Sequence, residues 1–107
     1  EWLYDSTMVT DTSETLMCAE LLREQIFRQL GDELPYQAAV EIEQFLRKPH
    51  IIEIHAIIKV VRESQKSIFI GHGGMKLKSI GQMARESIEK YLNKKVFLKI
   101  FVKKGEV

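Results

Sequence analysis

Three glycines in four positions, Gly71, Gly73 and Gly74, precede a stretch that carries lysine on alternate residues, Lys76 and Lys78. Glycine lets the backbone approach a ligand closely and adopt conformations with positive φ. A helix that begins here would present unpaired N–H groups to an anion such as phosphate. Lysine in the first turn opposes the helix dipole, so this placement favours a bound polyanion over a purely structural role. The alternative is a glycine turn that only redirects the chain.

Other kinds of site fit the residues poorly. In a P-loop, G-x-x-x-x-G-K-[ST], the last glycine is followed directly by a Lys-Ser or Lys-Thr pair, which is missing here, and no parallel βαβ unit supports a dinucleotide site. Cys18, His50 and His55 lack the paired spacing of zinc ligands. Glu41 and Glu43 lie two apart because a strand alternates, which is not a sign of acid–base catalysis. We predict no catalytic residue, metal site or cofactor in this chain.

The charge distribution also indicates a polyanionic partner. The 107 residues carry a net charge of only +1, 45% of them are hydrophobic, and no run is long enough for a membrane span. Residues 1–64 hold six Lys and Arg against twelve Asp and Glu, whereas residues 65–107 hold ten against three. Such a charge dipole favours nucleic acid as the partner of the second part.

A single cysteine favours a reducing, cytoplasmic setting. The first residues read as a segment cut from a longer chain.

The elements that must position the loop begin with a helix over residues 12–30. Asp11 is predicted as its N-cap, with Glu14 in a capping box, and Gly31 ends it. Pro35 prevents the helix from continuing.

Three segments alternate as strands do. Residues 37–48 and 51–63 predict an antiparallel hairpin, with a bulge at Phe45 and Leu46 where the alternation changes phase. Residues 94–104 predict a closing strand. The residues expected to face inward are Ile52, Ile54, Ala56, Ile58, Val60, Val96, Leu98, Ile100 and Val102.

Two further segments complete the plan. Residues 67–70 have strand propensity but are too few for periodicity to decide. Residues 75–92 form a helical pattern, with Leu77, Ile80, Ala84, Ile88 and Tyr91 on one face, and Asn93 as a left-handed cap. The chain is thus predicted to be an α+β domain with its helices on one face of the sheet.

The stretch Gly71-His72-Gly73-Gly74, preceded by apolar residues and followed by a lysine-bearing helix, resembles the GXXG loop of KH domains, which clamps about four nucleotides of single-stranded RNA. The element order matches the type II form. The segments TDTSETLMCAELLREQIFRQLGDELPY, VEIEQF, IGHGGMKLKSIGQMAR and NKKVFLKIFVK are similar to the C-terminal RNA-binding domain of the Era family of bacterial GTPases.

This resemblance implies a type II KH domain over residues 11–105, of order α-β-β-α-α-β with a three-stranded mixed sheet, after a linker remnant over residues 1–10. It implies that residues 65–70 are helical despite their propensity. The implied RNA-binding residues are Ile70, Gly71, His72, Gly73, Gly74, Met75, Lys76, Leu77, Lys78 and Ile80.

The resemblance further implies a function in ribosome assembly, at the 3′ end of small-subunit ribosomal RNA. GTP and Mg²⁺ would belong to a separate GTPase domain, so this part would not be an enzyme. Family members are cytoplasmic, with peripheral membrane association of the full-length protein. Era-like loops usually carry lysine where this chain has Gly73, which leaves His72 as the only ionisable loop side chain and implies weaker binding.

Two alternative interpretations also fit the sequence. The acidic first helix and the turn after it would dock a partner protein or the GTPase domain, through Glu14, Glu20, Glu24, Asp32 and Glu33. Alternatively, RNA would stack on the open sheet face, on Phe97 and Phe101 between Lys99 and Lys103.

Overall fold

The computed structural model describes residues 12–33 and 38–105, and within these ranges three α-helices and three strands follow one another in the order α-β-β-α-α-β. Short 3₁₀ turns cover Gly31–Glu33, Glu63–Gln65 and His72–Gly74. The elements are α1 (Ser13–Leu30), β1 (Ala39–Arg47), β2 (Ile52–Val60), α2 (Lys66–Ile70), α3 (Met75–Leu92) and β3 (Val96–Lys104).

The three strands form one mixed sheet in the order β1-β2-β3. β1 pairs antiparallel to β2 as a hairpin, whereas β3 pairs parallel to β2 after the chain has crossed over through α2 and α3. The expectation that no parallel crossover surrounds the glycine loop was therefore wrong, although residues 71–76 still lack the G-x-G-x-x-G spacing of a dinucleotide site. The predicted α+β class and mixed sheet are confirmed. β3 is an edge strand, and α3 contacts it.

The core lies between the sheet and the helices. Every second residue of β2 is buried on the inner face, as the alternation predicted: Ile52, Ile54, Ala56, Ile58 and Val60 are each at most 1% exposed. Leu22 of α1, Phe69 of α2 and Ile80 of α3 share a cluster with Ala56, Ile58 and Val60 and are fully buried. Burial of each such side chain contributes about 1.5–3 kcal/mol to folding, so this core fixes where α3 lies on the sheet.

The β1 bulge is real, but its predicted position at Phe45 and Leu46 was wrong. The register shifts at Glu43, the extra residue between two regularly paired stretches. An insertion at this point brings Val40, Ile42 and Phe45 onto the same face, and all three pack against the core. Placing the exposed Glu43 in the bulge therefore keeps the apolar side chains buried, which local alternation alone could not indicate.

The start of α1 also differs from the prediction. The N-cap is Thr12, whose hydroxyl accepts a hydrogen bond from the Thr15 N–H at 3.1 Å, while the Thr12 N–H donates to Thr15 Oγ1 at 3.0 Å. This reciprocal pair replaces the predicted pair of Asp11 and Glu14; Asp11 itself lies outside the described residues. Gly31 ends α1 as predicted, with φ 52°.

Residues 66–70 are helical as the resemblance implied, and their strand propensity was misleading. Phe69 is fully buried there, so its packing in the core outweighs the local preference. α3 ends at Asn93, which adopts the predicted left-handed conformation with φ 55°. Tyr91, in contrast, is 43% exposed and lies off the buried stripe of Ile80, Ala84 and Ile88.

Candidate nucleic-acid interface

The loop between α2 and α3 has the backbone conformation that its glycines suggested. Gly71, Gly73 and Gly74 have φ of 75°, 63° and 79°, a region that side chains with a Cβ rarely adopt. A Cβ on Gly71 would lie 2.5 Å from Lys76 Cβ, because the chain folds back closely here, whereas Gly73 and Gly74 face open space. The loop is thus a tight bend whose tip is accessible.

Not all of the loop's N–H groups are available to a ligand. Gly71 donates to the Ser67 carbonyl at 2.9 Å, Gly74 donates to the Gly71 carbonyl at 3.4 Å, and Met75 donates to the His72 carbonyl. The other two N–H groups of the loop belong to His72 and Gly73. Both residues are exposed at the tip, so their N–H groups are the loop donors best placed to reach a ligand.

A groove of about 390 Å³ lies between α3 and the edge strand β3. Its lining residues combine an apolar floor with polar groups on the helix side: Gly74, Leu77, Lys78, Gly81, Gln82, Arg85, Leu98 and Ile100. Gly74 belongs to both the loop and the groove, which makes the two continuous. A Cβ on Gly81 would approach Ile100 Cδ1 at 3.6 Å, so glycine keeps the groove open at this point.

The predicted apolar floor of Ile70, Leu77 and Ile80 is only partly found in this groove. Leu77 lines it, but Ile70 does not, and Ile80 is fully buried in the core, where no base can contact it. Leu98 and Ile100 of β3 take their place. The alternation of β3 marked both as inward-facing, but it could not show that the helices leave them accessible at the sheet edge.

The two predicted lysines have different surroundings. Lys78 is exposed and lines the groove. Lys76 is half-buried, and its Nζ donates to the carbonyl oxygen of Gln29 in the last turn of α1, at 3.4 Å. Its ammonium therefore stabilises the negative end of α1, and the interpretation of Lys76 as a phosphate contact is not favoured by this geometry. Met75, another predicted contact, is 71% exposed beside the loop.

Sequence reasoning missed three polar or small groove residues, Gly81, Gln82 and Arg85. Gly81, Gln82 and Arg85 follow Lys78 by three, four and seven residues, so helical spacing would have placed all three on the face of Lys78. The Arg85 guanidinium lies 3.1 Å from a Glu89 carboxylate oxygen, so its orientation is fixed at the groove wall.

The acidic first helix is mostly engaged within the chain. Glu14 pairs with Arg47, Glu24 pairs with Arg28 at 2.8 Å, and Glu20 lies 3.6 Å from Arg23. Asp32 is exposed, while the Glu33 side chain lies outside the described part. Exposed ion pairs of this kind contribute little stability, but they neutralise the charge that a docking partner would need.

The outer sheet face has one open aromatic ring and one covered ring. Phe97 is 49% exposed. The Phe101 ring has Lys99 Nζ at 5.3 Å and Lys103 Nζ at 5.6 Å from its centroid, and His55 packs edge-on against it at 6.2 Å. Two cations over one ring leave it little free face for a base, which disfavours the stacking alternative.

The described part of the chain has neither a cluster of metal-ligating side chains nor a membrane-spanning helix. Within residues 12–33 and 38–105, no group of three His, Cys, Asp or Glu side chains is arranged to hold a metal ion. No helix in the same ranges has the length and apolar character required to cross a membrane.

Comparisons with known proteins agree with this geometry. The sequence profile of the KH domain family matches residues 33–106. GTPase Era of Pseudomonas aeruginosa is 50% identical over 103 residues, which are 96% of this chain and 34% of that protein. GTPase Era of Marinobacter nauticus is 49% identical over 100 residues, 94% of this chain and 33% of that protein. The chain therefore spans about a third of the length of these relatives.

Two solved structures have the same fold. Era from Aquifex aeolicus, bound to GDP·AlF4⁻, superposes with a TM-score of 0.81 at 34% identity, covering 97% of this chain and 36% of that one. A structure of Era in complex with MgGDPNP and nucleotides 1506–1542 of 16S ribosomal RNA gives 0.81 at 35% identity, covering 99% and 36%. The predicted resemblance is confirmed: the chain belongs to the KH domain family.

Proposed function

We propose that this chain binds single-stranded RNA, with the sugar–phosphate backbone on the Gly71–Gly74 loop and bases in the groove between α3 and β3. The observation that carries this proposal is the continuity of the two at Gly74, which joins exposed N–H donors to a groove with an apolar floor. KH domains bind RNA by clamping about four nucleotides at such a loop.

The RNA that we propose is the 3′ end of small-subunit ribosomal RNA, bound during ribosome assembly. The support is the solved Era structure that contains nucleotides 1506–1542 of 16S ribosomal RNA, at 35% identity to this chain. In this proposal residues 11–105 form the RNA-binding domain and residues 1–10 the linker to a GTPase domain, which binds GTP and Mg²⁺. The full-length protein is cytoplasmic, with peripheral membrane association, and this chain contributes RNA binding without catalysis.

The attraction for phosphate has two sources in the described residues. The N–H groups of His72 and Gly73 act at short range as neutral donors, and Lys78 adds a positive charge at the adjoining groove. A charge-assisted hydrogen bond is roughly twice as strong as a neutral one. With Lys76 engaged at α1 and no lysine in the loop, we expect a modest affinity that falls as salt rises.

A direct test measures fluorescence anisotropy with a labelled single strand taken from nucleotides 1506–1542 of 16S ribosomal RNA. The double variant His72→Asp, Gly73→Asp places two carboxylates where the phosphate would lie, and we expect its affinity to fall by about tenfold or more. Gly73 has open space around it, and Asp tolerates positive φ better than most residues. The fold should therefore survive, which circular dichroism checks.

The matched control is Arg23→Asp, which changes the net charge by the same amount on an exposed face of α1. We expect it to weaken binding by less than about twofold at moderate salt. Equal loss in the loop variant and in the control would show a non-specific charge effect, and unchanged affinity in the loop variant would remove the loop from the site.

A further inference from the structure

The Glu89 carboxylate joins the two walls of the groove. Its Oε2 accepts a hydrogen bond from Arg85 Nη1 at 3.1 Å and another from the backbone N–H of Val96 at 2.9 Å. Arg85 is on α3, and Val96 is the first residue of β3. One oxygen atom thus ties the helix side chain to the start of the strand that carries Leu98 and Ile100.

This connection restricts how the Arg85 guanidinium can move. Arg85 and Glu89 are four residues apart on α3, and their side chains are 38% and 27% exposed, so both are partly shielded from water. An ion pair in such surroundings is stronger than one in bulk solvent. Arg85 therefore keeps its remaining N–H donors at the groove wall rather than sampling open solvent.

Arg85 is also too far from the loop to share its phosphate. It follows Gly74 by eleven residues along the helix, which corresponds to about 16 Å at the rise of an α-helix. Lys78 is one turn from the loop and lines the same groove. In a bound strand the two cations would therefore contact different parts. Lys78 would contact the backbone beside the loop, and Arg85 would contact a base further along.

We propose that Arg85 determines base selectivity in this groove and that Glu89 is its positioning residue; this inference rests on the proposed binding of single-stranded RNA. A guanidinium has donors only, so it recognises a base edge with two neighbouring acceptors. Guanine offers O6 and N7, and cytosine offers N3 and O2. Adenine places its amino donor beside N7, so guanine and cytosine are preferred to adenine opposite Arg85.

The neighbouring polar residue is a weaker candidate for this role. The Gln82 side chain is exposed, and its Nε2 donates to Glu86 Oε2 at 3.5 Å. An amide that both donates and accepts can turn over to match any base edge. Gln82 therefore contributes contact without strong selection, in contrast to the donor-only guanidinium of Arg85.

The test uses short oligouridine strands that differ only in one internal guanine, cytosine or adenine, with affinities measured for wild type, Arg85→Lys and Glu89→Gln. We expect wild type to prefer the guanine or cytosine strand to the adenine strand by about tenfold. Arg85→Lys keeps the charge but loses the planar donor pair, so its preference should vanish while the salt dependence stays the same. Glu89→Gln still accepts from Val96 but holds Arg85 weakly, and should show a reduced preference.

Lys90→Gln is the control for Glu89→Gln and Arg85→Lys, because Lys90 is an exposed residue of the same helix that does not line the groove. It should keep the wild-type preference. A uniform weakening for all strands in the Arg85 and Glu89 variants would show a structural role and overturn the inference, as would a wild type with no base preference. A wild type that binds none of these strands nor the ribosomal RNA strand would instead overturn the proposed function as well.

Discussion

Lys76, in the first turn of α3, hydrogen-bonds through Nζ to the carbonyl oxygen of Gln29, 47 residues earlier in the chain, at 3.4 Å. The last carbonyls of a helix have no partner within it and form its negative end. The lysine therefore connects the end of α1 to the helix that follows the GXXG loop, and it stabilises the helix arrangement on which the groove depends.

Replacing Lys76 by Met should lower stability more than it lowers RNA affinity. Methionine keeps the apolar stem but removes the ammonium from the end of α1, so we expect a loss of about 0.5–1 kcal/mol in urea unfolding. Lys94→Met, at an exposed turn residue, is the control and should change stability little. A loss of RNA affinity without loss of stability would show that Lys76 contacts phosphate after all.

Replacing Lys78 by Gln should lower RNA affinity more than it lowers stability. Lys78 is exposed at the groove, so its removal should leave the urea midpoint nearly unchanged but weaken RNA binding for all sequences alike. Loss of one phosphate contact should also lower the slope of log affinity against log salt by about 0.7 for a single strand. An unchanged slope in a salt titration would exclude Lys78 as a phosphate contact.

Alanine substitutions at Gly71 and Gly73 should differ although both have positive φ. At Gly73 the new Cβ meets nothing within 4 Å, so only the backbone strain of about 1–2 kcal/mol applies. At Gly71 the Cβ would lie 2.5 Å from Lys76 Cβ and 3.0 Å from the Lys76 backbone nitrogen, which adds a steric clash. We expect a larger loss for Gly71→Ala in thermal unfolding. Equal losses of thermal stability in the two variants would mean that α3 can move away from the new Cβ at residue 71 without further destabilisation.

Glu53 should make stability depend on pH in the acid range. The pKa of Glu53 lies below its usual value of 4.5. The larger cause is a hydrogen bond from Lys48 Nζ, and the next is a hydrogen bond with His55 Nε2. Because the folded-state pKa is the lower one, this stabilisation is present above about pH 4.5 and is lost as pH falls through the folded-state value. Urea midpoints measured across this range should fall less steeply for Glu53→Gln, and parallel curves would contradict the expectation.

Much of the fold follows from residue spacing alone. A strand places every second residue on one face, so the inward residues of β2 and β3 were predictable, and the period of α3 marked Ile80, Ala84 and Ile88 as buried. The glycine spacing also predicted the positive φ at the loop. Residues 67–70 were different, because their helix depends on burial of Phe69 among residues far away in the chain.

By itself, then, the amino-acid sequence determined the element types outside residues 67–70, the buried faces and the position of the glycine bend, since each depends on neighbours within a few residues. Only the tertiary structure decided which donors remain available there. Gln29 engages Lys76, Glu89 orients Arg85 toward the groove, and the sheet edge exposes Leu98 and Ile100. The physical reason is that a hydrogen bond or an open surface depends on which groups the fold brings together, and local periodicity carries no information about those partners.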